Sequence, residues 1–165
     1  MKKICLTITI AVFLLTYSNG ILGQIVPSKL DQPKLMQQYI GIWQAKIGKD
    51  SIEIWECQQF GKALIINVYH VIKGKKTPLY INNIGFDPIE GNIKGFVLWP
   101  NGEYSTWIGL FTSEKMFTGD LVHDYNIENP FIKLENVFEN PKEWTWTQTR
   151  KDGVKILEYK FKKVK

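Results

Sequence analysis

The sequence is poor in the residues that most often perform catalysis or bind metal ions. Its 165 residues include only two cysteines and two histidines. It contains no Gly-x-Ser-x-Gly nucleophile motif, no His-Glu-x-x-His zinc motif and no glycine-rich phosphate loop. These absences argue against hydrolase, metalloprotease and nucleotide-dependent activities. We therefore expect no enzymatic activity, no catalytic residue, no metal ion and no cofactor.

Cysteine is too scarce for an intrachain disulfide. Cys5 lies in the leader predicted below, so Cys57 is the one cysteine of the mature chain. With His70 or His123 it could imitate a nucleophilic pair, but a single cysteine among strand residues is more often a small buried hydrophobe. The histidines could ligate haem, although a histidine on an apolar face is usually a hydrogen-bonded core residue.

Long apolar runs are absent except at the start of the chain. A short basic segment, a mostly apolar run over residues 4–15 and a polar, small-residue segment have the layout of a secretory signal. The apolar run is short for a membrane span. We predict a signal peptide over residues 1–23, with cleavage after Gly20 or Gly23. Export to the periplasm or the cell exterior is expected, without stable membrane insertion of the mature protein.

The charge of the chain is only mildly positive. The formal net charge is +5, and Lys2 and Lys3 of the predicted leader contribute to it. Much of the remaining excess lies in the C-terminal lysines, Lys160, Lys162 and Lys163 among them. Such a basic tail is more often a solvated strand end than a nucleic-acid contact. We therefore expect no nucleic-acid partner, and we expect a monomer.

The mature chain divides into a short N-terminal segment and one larger unit. Residues 24–38 form a predicted tether and short helix, and residues 39–165 form a single domain. Pro33 to Tyr39 could make one or two helical turns, with Asp31 or Gln32 near the cap. This segment would cover one end of the domain.

The domain consists of short β-branched and aromatic runs separated by turn signals, such as Pro100-Asn101-Gly102. This pattern is typical of an all-β domain without an internal repeat. The predicted strands cover residues 40–47, 51–59, 63–72, 79–86, 93–99, 104–112, 117–125, 131–138, 144–150 and 154–164.

Period-two alternation in the last predicted hairpin indicates one buried and one solvated face. Leu157, Tyr159 and Phe161 alternate with charged residues. A Thr, Glu and Lys exterior lacks the apolar outer band of an outer-membrane barrel. The sequence therefore predicts a water-soluble, all-β fold. We expect a single up-and-down antiparallel β-barrel of about eight to ten strands, with a short N-terminal helix.

The aromatic content raises the question of what fills this barrel. Six Trp, seven Tyr and nine Phe could pack the interior solid or line a ligand pocket with a few polar groups. A continuous cavity of about 300 Å³ or more would favour binding, and a filled interior would favour a structural or interaction module. The candidate ligand-binding residues are Trp55, Asn67, Tyr80, Trp107, Trp144, Trp146, Gln148 and Arg150.

Two of these candidates depend on which way a strand faces. Asn67 would reach the interior only if its side of the third strand is the inner one. Arg150 shares a face with Trp144 and Trp146, and an unpaired guanidinium is costly in apolar surroundings. Arg150 could lie at a barrel opening, pair with a protein carboxylate, or meet an anionic ligand such as a fatty acid.

Three segments carry a resemblance to a known superfamily: Gly41-Ile42-Trp43 at the first strand, residues 84–91 as a mid-chain hairpin, and residues 153–162 as the closing strand. In this order they resemble the lipocalin-like (calycin) superfamily. The chain is similar in particular to small bacterial secreted members without an assigned function. The resemblance implies that the barrel binds a small hydrophobic or amphipathic molecule. It also implies that a basic side chain near the chain end, Arg150 or Lys162, packs over Trp43.

Overall fold

The computed structural model describes residues 30–165. The predicted signal peptide over residues 1–23 and most of the predicted tether lie outside the described residues. Within residues 30–165, no helix is long and apolar enough to cross a membrane.

The described chain begins with a short helical segment. Helix α1 spans Gln32–Met36, and a 3-10 turn follows over Gln37–Tyr39. Asp31 caps the helix, since its side chain accepts a hydrogen bond from the Lys34 backbone N–H at 3.1 Å. The predicted N-terminal helix is therefore confirmed, with Asp31 as its cap.

Residues 41–163 form ten antiparallel strands that close into one barrel. Each strand pairs with its neighbours in sequence, and β1 pairs with β10 to close the sheet. This confirms the predicted all-β, up-and-down topology. The strands are β1 Gly41–Gly48, β2 Ser51–Phe60, β3 Ala63–Ile72, β4 Lys75–Asp87, β5 Asn92–Leu98, β6 Tyr104–Ser113, β7 Met116–Val122, β8 Ile132–Asn140, β9 Glu143–Arg150 and β10 Lys155–Lys163.

Strand β4 starts four residues earlier than the sequence pattern predicts. Pro78 has no backbone N–H and is usually a sign of a strand end. Here it lies opposite Tyr69, and the register shifts by a bulge between Val68 and Tyr69. The bulge allows the ladder to continue past the proline, so β3 and β4 form a long hairpin.

The two ends of the barrel differ. We call the end that carries α1 the base and the opposite end the rim. The base is filled by a packed cluster in which Trp43, Trp144, Phe111 and Phe161 are each at most 1% exposed. Trp144 and Phe161 stack with ring centroids 4.4 Å apart. Burial of such large aromatic groups is the main stabilising contribution at this end.

Trp43 lies at the centre of the base. It is 1% exposed, and its indole N–H donates a hydrogen bond to the Tyr39 carbonyl at 2.7 Å. Gly41 has φ +130°, and a side chain there would collide with Lys163 and the Lys165 carbonyl. Gly41 therefore allows the backbone of Lys165 to approach closely.

The basic residue over Trp43 is neither of the two expected. The ammonium of Lys163 lies 5.0 Å from the centre of the Trp43 ring. Lys162 points outward and pairs with Glu143 at 3.4 Å, because alternation along β10 places it on the solvated face. Arg150 lies at the other end of the barrel, at the rim end of β9. The expectation for Arg150 or Lys162 is therefore wrong: Lys162 is one residue away from the correct lysine, and Arg150 is at the opposite end of the barrel.

Candidate functional site

A cavity of about 340 Å³ lies in the barrel above the packed base. Its floor includes Tyr39 and Asn136, and its walls are mostly aromatic and aliphatic side chains. Trp99, Gln148 and Phe131 line its rim side, and Phe131 is 38% exposed. The barrel interior is therefore packed solid at the base and carries a cavity toward the rim.

Five of the eight predicted ligand-binding residues line this cavity. They come from four different strands, so no single hairpin contains the whole site. The five are Trp55 on β2, Tyr80 on β4, Trp107 on β6, and Trp146 and Gln148 on β9.

The other three predicted residues lie elsewhere. Trp144 is fully buried in the base, one level below Trp146 on the same face of β9. Asn67 is on the outer face of β3, because the fully buried Leu64, Ile66 and Val68 occupy the inner face. Trp144 therefore lies below the cavity, and the condition under which Asn67 would reach the interior is not met.

Arg150 is the third residue outside the cavity. Its side chain is 56% exposed, and the guanidinium pairs with the Asp152 carboxylate at 2.6 Å. The rim turn that follows β9 supplies this carboxylate two residues away. Of the three possibilities for Arg150, the structure shows the pairing with a protein carboxylate. Arg150 does not line the cavity.

The polar groups that line the cavity are amides and hydroxyls. Asn82 accepts a hydrogen bond from the Trp107 indole at 3.2 Å, which fixes both side chains. Asn136 donates to the Tyr39 hydroxyl at 2.5 Å, and its Oδ1 has no hydrogen-bond partner among the described residues. Asn136 is only 7% exposed, so this unpaired acceptor is a costly feature of the cavity floor.

A buried carboxylate lies next to the cavity. Glu53 shares the inner face of β2 with Trp55 and Cys57 and is 3% exposed. Its Oε1 accepts a hydrogen bond from the Trp55 indole at 2.6 Å, and its Oε2 lies 3.0 Å from Nε2 of His70. Both oxygens therefore have a protein partner, as a buried carboxylate requires.

The charge of Glu53 affects two tyrosines of the interior. Burial raises the pKa of Tyr80, which lines the cavity, well above its ordinary value, and the negative charge of Glu53 raises it further. Burial and Glu53 also raise the pKa of Tyr159. The phenols of Tyr80 and Tyr159 therefore stay protonated. Through Tyr80, the charge of Glu53 acts on a residue of the cavity wall.

The suspected nucleophile is not arranged for catalysis. Cys57 is 4% exposed, and burial raises the pKa of its thiol to about 12, which disfavours the reactive thiolate. His70 is directed to Glu53, and the His123 ring stacks on Phe131 at the rim. In the described part of the chain, no group of three or more His, Cys, Asp or Glu could hold a metal ion.

Sequence reasoning missed three polar residues of this interior. Asn82, Asn136 and Glu53 each alternate in step with strongly apolar neighbours, and Glu53 stands two residues before Trp55. A polar residue on an otherwise apolar strand face is a signal that could have identified each of them.

Comparison with known proteins assigns no family to the chain. No family model matches the sequence, and no curated protein matches it. The functional argument therefore depends on the barrel and its cavity.

Proposed function

We propose that this protein is an exported, lipocalin-like barrel that binds one small hydrophobic or amphipathic molecule in its interior and catalyses no reaction. The observation that carries the proposal is the cavity of about 340 Å³ above the packed base. Its size falls within the range of small-molecule pockets, as does its apolar lining with a few polar groups. A solid interior throughout would have favoured a purely structural barrel.

The lipocalin-like part of the proposal is supported by how the base is built. A glycine and a buried tryptophan open β1, a helical segment covers the base, and the Lys163 ammonium lies over Trp43. The ten strands exceed the eight of lipocalin barrels themselves. We therefore place the resemblance at the level of lipocalin-like proteins rather than of lipocalins.

Binding can be tested with N-phenyl-1-naphthylamine, an uncharged probe whose fluorescence rises in apolar surroundings. We expect saturable binding to the wild-type protein at one site. Val97→Phe should weaken it at least tenfold, because Val97 lines the cavity and is 7% exposed. The added volume costs about 1–3 kcal/mol of stability, so folding of the variant is checked by its melting temperature.

The matched control is Leu98→Phe, one residue further along β5. Leu98 points outward and is 41% exposed, so this change adds volume outside the barrel and should leave the affinity unchanged. Equal affinities for both variants, or no saturable binding to the wild-type protein, would contradict the proposal.

A second function is favoured by one feature of the outer surface. Phe96 and Tyr104 stack outside the barrel with ring centroids 5.3 Å apart, and Ile81 and Leu98 beside them are 40% and 41% exposed. Exposed apolar groups of this kind are typical of interaction surfaces. If the protein is an interaction module, Tyr104→Ser should abolish binding of its partner, and Val97→Phe should leave that binding unchanged.

Location and assembly complete the proposal. We propose that the protein acts as a monomer in the periplasm or outside the cell, with no nucleic-acid partner. The layout of residues 1–23 and the small excess of positive charge support this. N-terminal sequencing of the mature protein should find Ile21 or Gln24 first. A cell-associated form that keeps Met1 would contradict export with cleavage.

A further inference from the structure

We propose that the cavity selects neutral and cationic amphiphiles over carboxylates, and that Glu53 determines this selectivity. The inference rests on the proposed function and specifies the class of ligand. It differs from the alternative in which Arg150 meets an anionic ligand such as a fatty acid.

The first observation is that the cavity offers no cation to an anionic ligand. Among residues 30–165, no charged side chain lines it, and its polar groups are amides and hydroxyls. Arg150 is exposed and bound to Asp152. Lys163 lies at the base over Trp43. A carboxylate in the cavity would lose its hydration without gaining a counter-ion, which is strongly unfavourable.

The second observation is the buried carboxylate of Glu53. It is anchored by the Trp55 indole, which itself lines the cavity, and it acts electrostatically on Tyr80 in the cavity wall. Two unit charges about 8 Å apart, at an effective dielectric constant near ~20, change an equilibrium roughly thirtyfold. The two oxygens of Glu53 are held by Trp55 and His70, and the carboxylate would repel an anionic head group and attract an ammonium.

The third observation is the unpaired end of the Asn136 amide in the cavity floor. Its Nδ2 is bound to the Tyr39 hydroxyl, and its Oδ1 has no partner within residues 30–165. A ligand hydroxyl or amine N–H can donate to this oxygen, whereas an ionised carboxylate has no proton to donate. The Asn136 oxygen therefore favours a ligand head that donates a hydrogen bond over an ionised carboxylate.

The test displaces N-phenyl-1-naphthylamine with decylamine, decanol and decanoate, three ligands with the same chain, used below their micelle-forming concentrations. The assay is run at about pH 8, where an alkylamine is protonated and a carboxylic acid is ionised. Decylamine and decanoate both carry a charge that must be desolvated, so their comparison isolates the sign of the charge. We expect decylamine and decanol to compete at concentrations at least tenfold lower than decanoate.

Glu53→Gln tests the residue itself, because it retains an oxygen that accepts from Trp55 and removes the charge. It should reduce the preference for decylamine over decanoate to within about threefold. Glu56→Gln is the matched control. Glu56 lies on the outer face of the same strand, paired with Lys76 at 2.6 Å, and its replacement should leave the preference unchanged.

The possible failures are distinguishable. No binding of N-phenyl-1-naphthylamine to the wild-type protein would defeat the proposed function itself. Probe binding with decanoate equal to or better than decylamine would overturn the inference alone. A wild-type preference that survives Glu53→Gln would exclude Glu53 as its source. Should Glu53→Gln not fold, the order of the three ligands on the wild-type protein still decides the selectivity.

Discussion

Gln32 and Phe111 form a reciprocal pair across 79 positions of sequence. The Gln32 side chain donates to the Phe111 carbonyl at 3.0 Å and accepts from the Phe111 N–H at 2.7 Å. The amide of one side chain thus binds the backbone of β6 as a neighbouring strand would. This pair fastens α1 to the base and closes that end of the barrel.

Replacing Gln32 should loosen the base. Gln32→Leu leaves both backbone groups of Phe111 without a partner in a buried site, which should lower the free energy of unfolding by about 2–4 kcal/mol. Urea denaturation measures this loss. Gln38→Leu, which removes an exposed contact to the Glu114 carbonyl, is the control and should cost less than about 1 kcal/mol. Equal losses for both variants would contradict the role of Gln32.

Trp43 should contribute more to stability than the Lys163 cation that lies over its ring. Trp43→Ala removes a fully buried indole and its hydrogen bond to Tyr39, and should cost about 3–5 kcal/mol. Lys163→Gln removes only the cation over the ring and should cost about 0.5–1 kcal/mol. A denaturation midpoint of Trp43→Ala equal to that of the wild-type protein would refute the central position of Trp43.

Gly95 should be essential for the cavity wall. It lies directly opposite Trp107, and a Cβ at this position would be 1.9 Å from the indole. Gly95→Ala should therefore displace Trp107, break its hydrogen bond to Asn82 and weaken binding of N-phenyl-1-naphthylamine. Gly85→Ala is a close control, since a Cβ there would meet no atom within 4 Å, and should bind normally. Normal binding by Gly95→Ala would show that Trp107 does not shape the site.

Cys57 should make stability depend on alkaline pH. Because burial raises the pKa of its thiol to about 12, only the unfolded chain releases this proton as the pH rises above about 8.5. The native state then binds more protons, so the stability that Cys57 contributes falls with rising pH. Between about pH 8 and 10 the loss should reach about 2 kcal/mol.

The comparison that isolates this effect is the wild-type protein against Cys57→Ala. Denaturation at about pH 8 should show the variant as the less stable of the two, because the buried thiol is lost. At about pH 10 the difference in the free energy of unfolding between the two proteins should be smaller, because the contribution of the Cys57 thiol has fallen. All other groups titrate alike in both proteins and cancel in the comparison. A constant difference would mean that the thiol titrates equally in the native and unfolded chains.

The fold could be predicted from the sequence because its signals are local. Period-two alternation and turn residues identify the strands without any knowledge of distant partners, and they also identify the inner face where the other face is polar. Helix α1 was found in the same way, from Pro33 and its polar neighbours. The early start of β4 is not predicted, because Pro78 is usually a sign of a strand end and the bulge at Leu79 that accommodates it shows only in the pairing with β3.

The site could be predicted only in part, because alternation does not give depth along the barrel axis. Trp144 and Trp146 share a face, yet one is in the packed base and the other lines the cavity. Depth follows from the register between strands, which sequence pattern does not give. Depth also separates Arg150 at the rim from Trp43 at the base, whereas alternation along β10 turns Lys162 outward and Lys163 toward Trp43.

The central claim, that the barrel holds a ligand above a packed base, is tested most directly by a crystal structure of the protein with N-phenyl-1-naphthylamine. The account predicts density for the probe between Trp55, Trp107 and Trp146, with Trp43 and the base unchanged. Density for the probe only on the outer surface, at Phe96 and Tyr104, would contradict the account and favour an interaction module.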